Sequence, residues 1–118
     1  MKIRFIFDDQ TVTGTLPDNT VTQDFVSLLP LTFKLDDYAS TEKIAYLPRK
    51  LSVEDMPDGT SACAGDISYY APWGNLVLFY RDFGYASGLI KLGHLDEGLD
   101  MLRSNESLNV TIELAESL

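Results

Sequence analysis

An aromatic turn holds the residues of this chain that are best suited to bind a ligand. Residues 69–75 read Tyr-Tyr-Ala-Pro-Trp-Gly-Asn and contain the single tryptophan. Turns are normally polar, because their backbone groups need water and large apolar side chains gain nothing from exposure. Tyr70, Pro72 and Trp73 can stack on a flat ring or a proline ring of a ligand, and Asn75 can donate and accept hydrogen bonds at the rim. The alternative is that Trp73 anchors the core and that the Gly-Asn pair only supplies turn conformations.

Four further residues are candidates for the same binding site. Tyr80 and Tyr85 follow the turn and can line a pocket beside it. Arg81 can face a ligand, and the alternative is an ion pair with Asp82 that fixes the loop after them. Arg49, with Lys50 beside it, is the best remaining candidate for binding an anionic group, and the alternative is that the two form a solvated basic pair.

No group of residues in the sequence predicts a particular reaction. His94 has no second histidine or cysteine within the spacing of metal ligands, which favours a structural role. The neighbours of Cys63 supply neither a base nor a positive charge to activate its thiol. Glu42 and Lys43 can pair with each other or face a ligand. We therefore expect no metal and no cofactor. The sequence identifies no catalytic residue, so those of a possible enzyme are unknown.

Composition and charge limit the possible partners. The chain has 118 residues, 45% of them hydrophobic, and a formal net charge of -9. This length and composition predict one globular domain over residues 1–118. The negative field repels phosphate backbones, so nucleic acid is not expected as a partner. The apolar runs are far shorter than the roughly 20 residues that span a bilayer, so no membrane association is expected. With a single cysteine and no apolar leader, we expect a cytoplasmic location.

Alternation of apolar and polar residues predicts most of the chain as β-strands. Two helices interrupt it, at residues 20–29 and 96–103. Thr20 and Gln23 fit a capping box for the first, and Asp96 can cap the second. The region from Asp36 to Ala64 is predicted as long loops around one or two short strands. Seven predicted strands cover residues 3–7, 11–16, 31–35, 66–70, 76–80, 89–95 and 108–114, and the short apolar pieces at 44–47 and 51–53 are the candidates for the strands of the loop region.

Seven or eight strands in so short a chain favour a closed or nearly closed barrel of about eight strands, because closure removes exposed strand edges. The two short helices are expected to cap its ends. An eight-stranded barrel has room only for its own side chains, so a ligand site should lie on the outer wall or under a loop. Residues 76–80 are apolar on both faces and must be covered twice.

Three segments of the chain resemble the small bacterial and archaeal cyclophilin-like domain proteins. The resemblance lies in residues 41–48, 65–76 and 79–93, and it is most specific in Ala-Pro-Trp-Gly-Asn at 71–75 and in Gly-Tyr-Ala-Ser-Gly-Leu at 84–89. It extends over nearly the whole chain. The resemblance implies a mainly β, cyclophilin-like barrel. Members of the family are largely uncharacterised, so it implies little about function.

Catalytic cyclophilins hold the substrate proline in an apolar pocket, with an arginine from a Phe-His-Arg motif at the prolyl nitrogen and a Gln-Gly-Gly-Asp run after it. Neither motif occurs in this sequence. The expectation is a binding module for a peptide or small molecule that lacks the catalytic residues of cyclophilins. The alternative is a non-classical peptidyl-prolyl isomerase or a small-molecule enzyme of unknown reaction. In either case Trp73 should be partly accessible and lie near the largest surface concavity.

Overall fold

A computed structural model describes residues 1–104 and 106–115 of the chain. Eight of its strands form a closed barrel in the order β1-β10-β3-β4-β7-β6-β9-β2, with antiparallel neighbours, and β5 and β8 pair as a separate two-stranded ribbon. The elements are β1 (Lys2–Ile6), β2 (Thr11–Thr15), helix α1 (Thr20–Val26), β3 (Leu31–Tyr38), β4 (Glu42–Tyr46), β5 (Gly59–Ala62), β6 (Asp66–Tyr70), β7 (Asn75–Phe79), β8 (Phe83–Ser87), β9 (Leu89–Leu95), a 3₁₀ helix (Leu99–Leu102) and β10 (Leu108–Leu114).

The alternating pattern places one face of each barrel strand in the interior. Phe5 of β1 lies opposite Val12 of β2 and Ile112 of β10, and all three side chains are buried. This arrangement confirms the mainly β, closed barrel that alternation and the family resemblance both predicted. Among the described residues, no helix is long and apolar enough to span a membrane.

Both predicted helices are present in shorter form. Helix α1 ends at Val26 rather than residue 29, and its capping box begins one residue earlier than predicted. Asn19 Oδ1 accepts from the Thr22 backbone N–H, and Thr22 Oγ1 accepts from the Asn19 N–H, each at 3.0 Å. Because asparagine is as good an N-cap as threonine, the two registers compete in the sequence.

The second helix, predicted over residues 96–103, is a single 3₁₀ turn, Leu99–Leu102. Its predicted cap, Asp96, is bonded elsewhere. The Asp96 carboxylate accepts from Lys2 Nζ at 2.8 Å and from the hydroxyls of Thr13 and Thr15 at 2.8 and 2.6 Å. Asp96 therefore ties β1 and β2 to the end of β9 instead of starting a helix.

The main departure from prediction is the β5–β8 ribbon. Residues 51–53 are not a strand, and the strand of this region lies at Gly59–Ala62. It pairs with β8, which lies where the sequence predicts the loop after Asp82. The pairing is close at Gly59, where a Cβ atom would lie 2.4 Å from the carbonyl oxygen of Ala86. A polar strand that packs by close backbone approach gives no hydrophobic alternation to detect.

The ribbon covers the outer wall of the barrel. On β7, Leu76 and Leu78 point into the interior, whereas Val77 and Phe79 belong to a second apolar cluster outside it. That cluster also contains Ala62 of β5 and Ala86 of β8. The doubly apolar strand is thus covered on both faces, as predicted, and the outer layer creates a groove between barrel and ribbon.

Candidate functional site

A groove of about 220 Å³ opens between the outer wall of the barrel and the ribbon. Its floor is formed by β7 and its far wall by β8, and residues of the β3–β4 turn and of the aromatic turn complete its lining. The described residues that line it are Tyr38, Ala39, Thr41, Glu42, Tyr70, Trp73, Asn75, Val77, Phe79, Phe83, Ala86 and Leu89.

Three aromatic rings stand at the mouth of the groove. The Trp73 ring meets Tyr38 edge to face, with centroids 5.6 Å apart and planes at 83°, and meets Tyr70 at 5.4 Å and 81°. Trp73 is 45% exposed and Tyr38 is 44% exposed. The partial accessibility predicted for Trp73 is confirmed. Gly74 has a φ of 69°, which permits the tight turn that projects the ring outward.

Three polar side chains, Thr41, Glu42 and Asn75, line the groove beside its rings and aliphatic residues, and the Thr41 hydroxyl already donates to the carbonyl oxygen of Ala39 at 3.0 Å. Asn75 is 1% exposed, and its Oδ1 has no hydrogen-bond donor among the described residues. Glu42 is partly buried, and its carboxylate forms no ion pair within the described part of the chain. Burial, together with the negative charge of Asp37, raises the pKa of Glu42 from 4.5 to about 7. An unpaired acid in an apolar groove is typical of ligand and active sites.

Lys43, the neighbour of Glu42 in the sequence, faces the opposite side of β4. Successive strand residues point to opposite faces, so Lys43 enters the barrel interior, where it is fully buried. Its Nζ donates to the carbonyl oxygens of Ser104 and Glu106 at 2.5 and 2.6 Å and contacts Asp37 at 3.2 Å. Lys43 therefore neither pairs with Glu42 nor faces the groove. Glu42 does face the groove.

Tyr80 belongs to the same interior network rather than to the groove. It is 4% exposed, and its hydroxyl donates to Asp37 Oδ1 at 2.5 Å. Burial and the Asp37 hydrogen bond raise the pKa of Tyr80 to about 12. Burial alone would raise the pKa of Asp37, but hydrogen bonds from Tyr80 and Lys43 outweigh it and lower that pKa.

A second, larger cavity lies beside this network. It measures about 640 Å³ and is lined in part by Tyr80, Arg81, Asp82 and Arg103. The expectation that Trp73 lies near the largest concavity is therefore wrong. The predicted Arg81–Asp82 ion pair is absent from the described residues, and Asp82 Oδ1 instead accepts from the backbone N–H of Ala64 at 2.9 Å.

Three other candidates lie outside the groove lining. Arg49 is paired with Asp24, through Nη2–Oδ1 and Nη1–Oδ2 contacts of 2.7 and 3.1 Å. The hydrogen bond from Arg49 lowers the pKa of Asp24. Tyr85 is 67% exposed on β8. Pro72 packs against Gly88, where a Cβ atom would lie 2.7 Å from Pro72 Cδ.

The structure thus places Tyr70, Trp73 and Asn75 together and removes the other predicted residues from the groove. Tyr38 and the residues of the far wall, Phe83 and Ala86, also line the groove and were not among the predicted site residues. The one feature of the sequence that indicated this wall was the strand that became β7, because both of its faces are apolar and the outer face needs a covering layer.

The sequence matches the model of the cyclophilin-like family over residues 5–113. Comparison with curated proteins gave no match. Among solved structures, the fold is similar to the solution structure of a hypothetical protein from Archaeoglobus fulgidus, with a TM-score of 0.69 and 15% sequence identity. That alignment covers 98% of this chain and 95% of the archaeal one. At this identity the likeness concerns the fold alone.

Proposed function

We propose a binding function for this chain, which belongs to the cyclophilin-like family. The outer-wall groove takes an apolar, ring-bearing or alkylated head group of a small molecule or peptide and holds it without turnover. The observation that carries the proposal is the combination of three rings at the mouth with two hydrogen-bonding side chains, Glu42 and Asn75, on an apolar floor. Such a combination orients a ligand by a few polar contacts while apolar surface supplies the affinity.

The size of the groove indicates how much of a ligand it accommodates. Its volume of about 220 Å³ is below the roughly 300–1,000 Å³ of pockets that enclose drug-sized ligands. The groove therefore suits a single side chain or head group, with the rest of the ligand outside the mouth. The buried Asn75 Oδ1 supports a polar contact at the floor, because an unsatisfied buried acceptor is costly.

An enzyme of unknown reaction is the second candidate, and Glu42 is the observation that favours it. A carboxyl group with a pKa of about 7 can exchange protons near neutral pH. The placement of the arginines does not favour a prolyl isomerase of the cyclophilin kind. No arginine lines the groove among the described residues, and Arg49 is occupied by Asp24.

A fluorescence titration tests the binding function, since Trp73 is the single tryptophan and stands at the groove mouth. The probes are N-acetylproline amide, benzamide and choline. We expect a saturable change in Trp73 emission with at least one of them. Ala86→Leu, which fills the groove from β8, should weaken that binding at least tenfold.

The matched control is Tyr46→Ser, which removes a ring that is 66% exposed and does not line the groove. It should leave the affinity unchanged, and both variants should keep the unfolding midpoint of the parent protein. If none of the three probes gives a saturable change, or if Ala86→Leu binds as tightly as the parent, the groove is not a binding site and the proposal fails.

A further inference from the structure

We propose that the groove recognises an alkylammonium group, and that its occupant is a small organic cation. The inference rests on the binding function proposed above and specifies the chemistry of the ligand. It is based on three features of the groove: the orientation of its rings, the charges on its lining, and the absence of a free barrel edge beside it.

The rings provide the first argument. Aromatic faces attract cations within about 6 Å of the ring centroid, and ring walls set at right angles enclose alkylated ammonium groups. Trp73 stands nearly perpendicular to both Tyr38 and Tyr70, and all three line the groove. Trp73 and Tyr38 keep almost half of their surface exposed, so the mouth is open to a ligand.

The charges provide the second argument. The described lining contains one carboxylic acid, Glu42, and no lysine, arginine or histidine. The lysine next to Glu42 in the sequence is turned into the barrel and held there by Asp37 and two carbonyl groups. Asn75 adds a buried carbonyl dipole without a donor. A cation in the groove would therefore supply the positive charge that the Glu42 carboxylate lacks, and the net charge of -9 would draw it in.

The fold provides the third argument. A peptide that binds by strand addition needs an unpaired sheet edge. The barrel is closed, and among the described strands only the short β5–β8 ribbon, with strands of 4 and 5 residues, has such edges. The ribbon covers the outer wall next to the groove. A groove of about 220 Å³ accommodates a trimethylammonium head group without a chain on either side. These points favour a small molecule over a peptide as the occupant.

The experiment compares choline with 3,3-dimethylbutan-1-ol, its neutral carbon isostere, by calorimetry and Trp73 emission at pH 8. This pH lies above the pKa of about 7 of the Glu42 carboxyl, so the group is mainly ionised. The parent protein should bind choline at least tenfold more tightly than the isostere. Glu42→Gln should lower the affinity for choline at least fivefold more than it changes the affinity for the isostere, so that most of the preference is lost. The matched control, Glu54→Gln, changes an exposed acid outside the groove and should keep the full preference.

Trp73→Leu, followed by calorimetry, should also reduce choline affinity at least fivefold, because an aliphatic side chain lacks the negative face of the ring. Equal or tighter binding of the isostere to the parent protein would overturn the cation preference while leaving the binding function standing. Binding of neither compound, with benzamide bound, would also overturn it. A peptide carrying trimethyllysine that binds tenfold more tightly than choline would overturn the small-molecule occupant and assign the groove to a peptide.

Discussion

The raised pKa of the Glu42 carboxyl predicts how the free energy of unfolding depends on pH, and this prediction can be tested without a ligand. Its pKa is 4.5 in an unfolded chain and about 7 in the folded protein. Because the folded pKa is raised, protonation favours folding. The contribution is fully present below pH 4.5 and is lost as the pH rises through 7. For a fully enclosed group this shift would correspond to about 3 kcal/mol. The groove is open to water, so screening reduces the expected effect to about 1–2 kcal/mol.

Glu42→Gln removes this titration while keeping the shape of the side chain. At pH 8 the variant should be more stable than the parent protein by about 1–2 kcal/mol, because the neutral amide does not oppose burial or repel Asp37. At pH 4.5 the two proteins should have nearly equal stability, because the parent carboxyl is then protonated in the folded state. The variant therefore separates the contribution of Glu42 from those of the other acids.

Urea denaturation, followed by Trp73 emission, measures the effect of Glu42→Gln on the free energy of unfolding at pH 4.5 and at pH 8. The difference between these two effects is the contribution of the Glu42 titration. Glu54→Gln is the control, an exposed acid of the same type in the loop between β4 and β5. Its effect on the free energy of unfolding should be small and equal at the two pH values. If Glu42→Gln also has the same effect at pH 4.5 and pH 8, the acid is not desolvated by the groove and the reasoning is refuted.

Three further predictions concern residues outside the groove. Lys43→Met should lower the free energy of unfolding in urea by about 3 kcal/mol, because Asp37 and two carbonyls lose a buried donor; Lys34→Met, at an exposed position, should not. Arg49→Ala should change stability by less than about 1 kcal/mol and leave choline affinity unaltered in calorimetry. In a prolyl-peptide assay the parent should give little acceleration over the barrier of about 18–20 kcal/mol. Turnover at cyclophilin-like efficiency that Arg81→Ala abolished without loss of stability would contradict the binding function.

The barrel could be predicted because its strands show their burial in the sequence. In β1, Ile3 and Phe5 alternate with polar residues, and the same period recurs in β2 and β10. The strand at residues 76–80 also predicted an outer layer, since both of its faces are apolar. What covers that strand could not be predicted, because β5 has only small residues and β8 is mostly exposed, so neither strand shows an alternation of buried and exposed apolar residues.

The candidate site was predicted only in part, for the same reason. Trp73, Tyr70 and Asn75 lie within one short turn, so local sequence brings them together. Tyr38 meets Trp73 only because β3 extends to the turn before β4, and nothing local marks that contact. The sequence predicted Arg49 as a free cation because its partner, Asp24 of helix α1, lies 25 residues away in the chain and meets it only in the folded protein.

The doublet Glu42-Lys43 explains how the interior of the barrel sets the electrostatics of its outer wall. Had both side chains pointed outward, the lysine would neutralise the acid and the groove would attract neither sign of charge. Successive residues of β4 point to opposite faces, which separates the two side chains. Lys43 forms an ion pair with Asp37 in the barrel interior. Asp37 in turn still repels Glu42 through the wall and helps to raise its pKa. The ion pair that stabilises one face of the strand therefore leaves the other face with an acid that lacks a partner, which is the property a cationic ligand requires.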